Sequence, residues 1–276
     1  MHKRKYRVAL IGCGCIGAAH MDDIHDKTDI TVECVCDTNE QRARDFYAKY
    51  HACRYETDWK RVVSSESVDI VIIATYPSSH LEIVEECIKH GKHAICEKPI
   101  AADIENGERF VRLVKENPQC KILVGHILRH HKTYQKVAQM IQSGAIGKPI
   151  IMRMAQNHHT MDWQKYLRLI CETSPIIDCG VHYLDVMRWF TGSEIADISG
   201  IGLKTETDVP DGKYNYGLIT VRMSDGSIAY YEAGWSNTMA SGNLKEFVGP
   251  KGRIRLVYGD LRTENREEGD LIQYYT

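Results

Sequence analysis

The chain has 276 residues, of which 43% are hydrophobic, and this size accommodates two domains whose cores need no disulfide or metal. Its 35 lysines and arginines balance 37 acidic residues, which argues against electrostatic binding to nucleic acid or to an anionic membrane surface. No apolar run approaches the roughly 20 residues that span a bilayer, so we expect a soluble cytoplasmic protein whose partner is a small molecule.

The ten cysteines fall within predicted strands and helices rather than in the short, loop-rich frame of a disulfide scaffold, so we expect reduced thiols in the core. The spacings of Cys13/Cys15 and of Cys34/Cys36 do not fit a zinc knuckle. The two His-His pairs have no acidic or cysteine companion at ligand spacing. The sequence therefore predicts no metal site.

From Tyr6 to about Gly125, short β-branched runs alternate with amphipathic helical stretches such as 39–50 and 79–90. The predicted strands are RVALIG, ITVECVCD, VDIVIIAT, KHAIC and KILVG. This alternation is typical of βαβ units with right-handed crossovers. Residues 1–125 are therefore predicted to form an α/β domain of the Rossmann type, with a doubly wound parallel sheet.

The pattern changes after Gly125. We predict a helix over 131–143, a strand over 148–156, a polar stretch over 158–175 and a helix over 177–190, followed by strands over 195–203, 214–223, 227–236, 244–249 and 252–258. Asp225-Gly226 separates two of these strands and is a strong hairpin signal. Residues 126–276 should form an α+β domain with an open, mainly antiparallel sheet and helices on one face.

Gly12, Gly14 and Gly17 form a GxGxxG motif that follows a predicted strand and opens a helix, the context that a dinucleotide-binding loop requires. Asp37 ends the second strand, where a carboxylate binds both ribose hydroxyls and repels a 2′-phosphate, so NAD is favoured over NADP. The loop residues Cys15 and Ile16 are expected at the cofactor as well. The alternative to a cofactor site is that the glycines form an ordinary turn and that Asp37 caps a helix.

Asp178 and His182 are four residues apart in a predicted helix, so they share one face. Gly180 costs about 1 kcal/mol relative to alanine in a helix, which suggests that something, such as a substrate, closely approaches the backbone there. The core side of the helix is expected to comprise Val181, Leu184 and Met187. The alternative is an ordinary amphipathic helix with a solvated Asp/His face.

Lys98 follows the strand KHAIC, at the carboxyl end of the sheet where doubly wound folds bind ligands. A lysine there can stabilise the alkoxide that develops as hydride leaves carbon, although a surface lysine near a turn is the alternative. Together with the glycine loop and the Asp178/His182 pair, Lys98 predicts a nicotinamide-dependent oxidoreductase.

The order of these motifs resembles that of the glucose-fructose oxidoreductase and inositol dehydrogenase family, known as Gfo/Idh/MocA. The resemblance rests on the GxGxxG loop, on the stretch from Ala74 to His80, on Glu97-Lys98-Pro99 and on the stretch from Asp178 to His182, and it covers nearly the whole chain. It implies a Rossmann domain followed by an open-faced αβ domain, whose sheet commonly mediates homodimers or homotetramers.

The resemblance also implies roles for individual residues. It places Lys98 at the reacting oxygen, His182 as the general acid/base and Asp178 as a residue that positions the substrate. The further cofactor contacts that it implies are Thr75, Pro77, His80, Glu97 and Lys98. Relatives usually continue into a further helix and strand, so we expect that this chain is truncated at its C-terminus.

A sugar, polyol or sugar derivative is the expected substrate, because hydroxyl-rich ligands are held by many directional hydrogen bonds and an aromatic platform. The substrate pocket is expected to involve Lys98 and the segments 126–131 and 156–168. The candidate contacts are His126, Arg129, His159, Trp163, Tyr166 and Tyr183. Simple packing of these aromatic and histidine side chains is the alternative.

Two other functions are compatible with these motifs. An NAD-dependent glycoside hydrolase would oxidise, eliminate and reduce again without net turnover of the cofactor. A non-catalytic NAD-binding regulator would bind the cofactor and turn over no polyol. Retention of Lys98, Asp178 and His182 favours the dehydrogenase over the regulator.

Overall fold

The computed structural model describes residues 5–160, 162–257 and 271–276. The chain folds as two compact units, Met1–Gly125 and His126–Thr276, and each unit has its own sheet. Among the described residues, no helix has both the length and the apolar character needed to cross a membrane.

The first unit is built on a six-stranded parallel sheet. Its strands are β1 (Tyr6–Ile11), β2 (Ile30–Cys36), β3 (Arg54–Glu56), β4 (Ile70–Ile73), β5 (His93–Cys96) and β6 (Ile122–Val124). The order β3-β2-β1-β4-β5-β6 reverses direction between β1 and β4, as in dinucleotide-binding doubly wound folds. The predicted parallel sheet is confirmed.

Helices connect these strands and are started by local signals in the sequence. They are α1 (Cys15–Ile24), α2 (Glu40–Lys49), α3 (Trp59–Val63), α4 (Pro77–Lys89) and α5 (Ile104–Glu116). The Asn39 side chain caps α2 by accepting from the Arg42 N–H, and Pro77 supplies a fixed φ at the start of α4. Three of these elements were not predicted: β3 and α3 are too short to show a periodicity in the sequence, and α5 has Phe110 as its one buried residue.

The second unit is built on a seven-stranded sheet with the order β13-β12-β11-β7-β10-β9-β8. Its strands are β7 (Ile151–His159), β8 (Ile195–Leu203), β9 (Tyr216–Met223), β10 (Ile228–Ser236), β11 (Gly242–Gly249), β12 (Gly252–Val257) and β13 (Leu271–Tyr275). The central pair β7 and β10 is parallel, and the other pairs are antiparallel. The predicted open, mainly antiparallel sheet is confirmed.

The predicted hairpin at Asp225-Gly226 is also confirmed, because it joins β9 to β10. The Met223 N–H donates to the Ser227 carbonyl oxygen at 2.8 Å and closes the turn. Gly226 has φ +86°, in the left-handed region that glycine adopts without a steric cost.

The helices of the second unit are α6 (Lys132–Gln142), α7 (Trp163–Glu172), α8 (Pro175–Asp178) and α9 (Gly180–Thr191), and a 3-10 turn covers Ile127–His130. The structure places α7 within the stretch 158–175, for which the sequence predicted only polar character. Trp163, Tyr166, Leu167 and Ile170 pack against the core at helical spacing. The single helix predicted over 177–190 is instead divided at Cys179.

The buried face of α9 differs from the predicted one. Tyr183, Val186, Met187 and Phe190 are buried, at the i, i+3, i+4 and i+7 spacing of a core-facing helix. Of the three core positions predicted, Met187 is buried and Leu184 is partly buried and packs against the same core, whereas Val181 is not among the core residues. The aromatic residues Tyr183 and Phe190 contribute to the buried face and were not included in the prediction.

Candidate functional site

The glycine loop between β1 and α1 has the shape of a pyrophosphate cradle. Gly12 has φ +101°, and a Cβ there would overlap the carbonyl oxygen of Ala74. A Cβ on Gly17 would overlap the carbonyl oxygen of Gly12, because the helix approaches the strand closely. A Cβ on Gly14, by contrast, would meet no atom within 4 Å. The loop is therefore closed on the protein side and open at Gly14, which fits a bound dinucleotide.

Asp37 lies at the end of β2, as the NAD fingerprint requires. Its Oδ2 accepts from the Cys13 N–H at 3.0 Å, and its Oδ1 accepts from the Asn39 N–H at 2.8 Å. A carboxylate has about four lone-pair sites, so these bonds fix its orientation and leave capacity for ribose hydroxyls. Cys15 and Ile16 are exposed in the first turn of α1, beside the open side of the loop.

The segment after β4 contains Thr75, Pro77 and His80, which were all predicted to contact the cofactor. His80 is fully buried, with Nδ1 2.9 Å from the Pro99 carbonyl oxygen and Nε2 3.1 Å from that of Thr75. Burial lowers the pKa of His80. The ring is enclosed between the loops that follow β4 and β5 and contacts a backbone carbonyl of each, and the role of His80 at the cofactor stays a prediction.

Glu97 and Lys98 follow β5, and the Lys98-Pro99 bond is cis. The Glu97 carboxylate is buried and accepts from the Lys98 N–H at 3.3 Å. The Lys98 side chain is half-buried. Because parallel strands end at the same edge of a sheet, the first unit brings the glycine loop, Asp37, Thr75 and Lys98 to one edge.

In the second unit, Asp178 ends α8 and His182 lies in the first turn of α9. Cys179, between the two helices, keeps a right-handed conformation with φ −85° and ψ −40°. The His182 N–H donates to the Cys179 carbonyl oxygen at 3.2 Å. The ring of His126 lies edge-on to that of His182, with centroids 6.2 Å apart. The structure thus brings together one predicted catalytic residue and one predicted substrate contact.

Tyr166 and Tyr183 are core residues, which corrects the prediction that they line a substrate pocket. Tyr183 is fully buried and stacks on Tyr231 with centroids 4.5 Å apart. Tyr166 is also buried, and its ring packs edge-on against Trp235 with centroids 5.3 Å apart. Both rings contribute to the hydrophobic core beneath the sheet, so packing, the alternative considered for these aromatics, holds for this pair.

Arg129 and Trp163 have protein partners for their polar groups. The Arg129 guanidinium forms a bidentate ion pair with Asp185, at 2.7 and 2.9 Å, and lies over the ring of Trp189. The Trp163 Nε1–H donates to Asp208 at 2.6 Å. The Arg129 head group thus ties the 3-10 turn to α9, which is a bracing contact that sequence spacing does not reveal.

The adjacent residues His158 and His159 lie on β7 and therefore point to opposite faces of the sheet. His158 is buried with its ring edge-on to Tyr166, whereas the predicted substrate contact His159 is exposed. The histidine on the core face is thus His158. His158 was not predicted at the site, although its even-numbered spacing from Met152 and Met154 places all three side chains on one face of the strand.

Gly180 was expected to lie where something closely approaches the backbone, with a substrate as one candidate, and the structure shows a protein side chain in that place. A Cβ on Gly180 would lie 3.2 Å from the ring of Tyr231, so the group that approaches is a core side chain of β10. Lys245 was missed by sequence analysis. It is fully buried, with Nζ 2.9 Å from the Ala155 carbonyl oxygen and 4.4 Å from the centroid of Tyr183.

The ten cysteines all lie in described ranges and none is in a disulfide. Seven are buried, and burial raises the pKa of Cys13, Cys34 and Cys87 to about 12. These groups are therefore neutral core thiols near neutral pH. Within the described ranges, no three His, Cys, Asp or Glu side chains are grouped as a metal site.

Two family models match most of the chain. A model described as an oxidoreductase family with an NAD-binding Rossmann fold matches residues 6–126. A second, described as a GFO/IDH/MocA C-terminal domain, matches residues 134–255. The first match covers most of the first structural unit and extends one residue beyond it, and the second match lies within the second unit.

Individual proteins show the same similarity. Inositol 2-dehydrogenase 4 of Saccharopolyspora erythraea is 27% identical over 233 residues, which cover 84% of this chain and 68% of that protein. Myo-inositol 2-dehydrogenase of Thermotoga maritima is 24% identical over 250 residues, which cover 90% and 74%. The structure of scyllo-inositol dehydrogenase from Lactobacillus casei with NAD(H) and scyllo-inositol superimposes with a TM-score of 0.82 at 23% identity, covering 98% of this chain and 82% of that one.

Proposed function

Because the chain belongs to the Gfo/Idh/MocA family of NAD-binding oxidoreductases, we propose that it transfers hydride between a cyclic polyol of the inositol class and NAD. The names of the two curated relatives, both inositol 2-dehydrogenases, support this choice of substrate. The broader assignment, an NAD-dependent dehydrogenase acting on CH–OH groups, includes sugars and their derivatives.

The observation that carries the proposal is the shape of the glycine loop. Gly12 and Gly17 are positions where a side chain would overlap the backbone, whereas Gly14 faces open space. Packing does not require a glycine at position 14, because a side chain would fit there. A ligand that must approach the backbone closely explains why this residue is a glycine. We assign the pyrophosphate to this loop, at the N-terminus of α1, and the ribose hydroxyls to Asp37.

Bound NAD would supply the acceptor of the hydride. We assign to Lys98 the stabilisation of negative charge on the substrate oxygen, because an ammonium group favours an alkoxide in a site with little water. We assign to His182 the removal of the hydroxyl proton, since a neutral imidazole nitrogen can accept a proton from a substrate hydroxyl in general acid–base catalysis. Asp178 would orient the substrate through its carboxylate.

We extend the proposal to the two units: residues 1–125 bind NAD, and residues 126–276 bind the substrate and mediate self-association. Exposed apolar side chains on the sheet of the second unit support self-association as a homodimer or homotetramer. Ile151 and Ile228 are paired in register on β7 and β10, and are 44% and 49% exposed. Sedimentation of the purified protein would measure its mass in solution.

A cytoplasmic location is also part of the proposal, because the ten cysteines carry no disulfide and buried thiols persist in a reducing compartment. Measurement of the protein in cell fractions of its source organism would test this location.

The decisive experiment is NADH formation by the purified protein, with NAD or NADP, over a panel of inositols, sugars and sugar acids. NAD reduction by an inositol is the expected result. Release of a sugar from a glycoside without net NADH would overturn the proposal in favour of the hydrolase. NAD binding without turnover across the panel would overturn it in favour of a non-catalytic regulator.

A further inference from the structure

We propose that His20 is a positioning residue of the cofactor site and that it acts through Glu97 on the Lys98-Pro99 turn. The inference rests on the proposed binding of NAD to the first unit. It assigns a role to a histidine of α1 that lies three residues beyond the glycine loop and that no step above uses.

The contact between His20 and Glu97 is short and shielded from water. The His20 Nε2 atom lies 2.8 Å from Oε1 of Glu97, and the two side chains are 22% and 9% exposed. A carboxylate that is largely removed from water needs hydrogen-bond partners, because burying it without them costs free energy. In the first unit, the imidazole of His20 supplies such a partner from a different element.

The surroundings of Glu97 leave its carboxylate little freedom. Its other oxygen, Oε2, accepts from the Lys98 N–H at 3.3 Å, and the Glu97 N–H donates to the Ile73 carbonyl oxygen at 2.9 Å. Gly125 forms one wall, because a Cβ there would lie 2.8 Å from Oε1 and 2.9 Å from Oε2. Any side chain at that position would displace the carboxylate. The carboxylate is thus held between Gly125, the Lys98 turn and His20.

This arrangement links two parts of the cofactor site that are far apart in sequence. The N-terminus of α1 is the pyrophosphate end of the proposed site, and Asp37, directly after β2, marks the adenosine side. The strand order reverses between β1 and β4, so the nicotinamide half lies on the side of β4 and β5, where Lys98 is located. His20 therefore ties the helix that binds the pyrophosphate to the turn on the nicotinamide side.

Loss of His20 would leave a buried carboxylate short of a hydrogen bond. We expect Glu97 to rotate towards water and to release the turn at Lys98, while the glycine loop keeps its shape. The loop is held independently, by the backbone contacts of Gly12 and Gly17. The affinity for the nicotinamide half of the cofactor should fall, and the affinity for the adenosine half should not.

The test compares the dissociation constants of NADH and of ADP-ribose, which lacks nicotinamide, for wild-type protein and three variants. His20→Ala removes the donor, and His20→Gln keeps an N–H near the position of Nε2. His25→Ala is the matched control, because His25 is the exposed histidine at the end of the same helix and its ring contacts the Met21 carbonyl oxygen.

We expect His20→Ala to weaken NADH binding by about tenfold, the lower end of the effect of one hydrogen bond to a charged group, and ADP-ribose binding by less than about twofold. His20→Gln should restore most of the loss, and His25→Ala should match wild type. Equal weakening of both ligands by His20→Ala would indicate a purely structural role and overturn the inference, as would unchanged NADH binding or the absence of rescue by glutamine.

The binding test can decide the role of His20 even if the proposed dehydrogenase function is wrong. If wild-type protein binds NADH but oxidises no polyol, the substrate assignment fails, and the ratio of the two dissociation constants still decides the role of His20. If wild-type protein binds neither NADH nor ADP-ribose, both proposals are overturned.

Discussion

Replacing Gly14 by alanine should weaken the binding of the cofactor while leaving the stability of the fold nearly unchanged. Gly14 is the N-cap of α1, and its φ of −98° and ψ of −167° are an extended conformation that alanine adopts. Alanine restricts the unfolded chain, which stabilises the protein by about 0.4–1 kcal/mol, and is a poorer N-cap by about 1 kcal/mol. The free energy of unfolding should therefore change by less than about 1 kcal/mol.

The same methyl group would enter the space that we assign to the pyrophosphate, where apart from the neighbouring residues of the loop no protein atom lies within 4 Å of it. We expect it to displace one hydrogen bond between a phosphate and a backbone amide. Hydrogen bonds to charged groups contribute about 1.5–3 kcal/mol. The dissociation constant of NADH should therefore rise by about 10- to 150-fold.

Gly12→Ala is the matched variant in which folding and binding should fail together. Its φ of +101° is strained for alanine by about 1–3 kcal/mol, and its Cβ would overlap the backbone of Ala74. Relief of such an overlap costs a further amount of about 1–3 kcal/mol.

The assay pairs urea unfolding with an NADH fluorescence titration for wild-type protein, Gly14→Ala and Gly12→Ala. If Gly14→Ala bound NADH with wild-type affinity, the assignment of the pyrophosphate to the glycine loop would be refuted, because the open face at Gly14 would then not be where the phosphate binds. If Gly14→Ala lost as much stability as Gly12→Ala, the inference that a methyl group fits at Gly14 but overlaps the backbone at Gly12 would be refuted.

Three other predictions concern the same protein. Lys98→Ala should lower kcat by about 10²–10³-fold, and His182→Ala should lower it by about 10²–10⁴-fold with NADH affinity retained; normal turnover in either variant would reject that assignment. Bound NAD should protect the exposed Cys15 from alkylation, so that its rate falls to about 1% of the rate without NAD when NAD is present at a hundred times its Kd. The rate at the exposed Cys53 should stay constant. Equal protection of both cysteines would contradict the assignment of the loop to NAD. Burial lowers the pKa of His80 below its value in the unfolded chain, so the free energy of unfolding should fall as the pH drops from about 7, by at most about 1.36 kcal/mol per pH unit. Urea midpoints measured against pH should give a flatter profile for His80→Gln than for wild-type protein. Identical profiles would show that His80 is not the source of the pH dependence.

The sequence by itself determined the local features of the first unit. The turn at Gly12, the helix that follows Gly14 and the position of Asp37 at the end of β2 depend on residues close together in the chain. β-branched runs and glycine spacing report such local geometry directly. The parallel sheet followed from the same alternation, because βαβ connections permit few arrangements.

The tertiary structure decided which side chains face which neighbours in the second unit. The sequence placed Tyr183 at a substrate, but the phase of α9 buries it against Tyr231. It also favoured His159 over His158, because strand register and face are set by pairing with distant strands.

Contacts between side chains of distant segments were equally beyond the sequence. Arg129 meets Asp185 and His20 meets Glu97, pairs separated by 56 and 77 residues. Every charged or polar residue has many candidate partners at such separations, and spacing along the chain does not rank them. The fold selects the partner, because it fixes which strand ends and helix faces lie side by side.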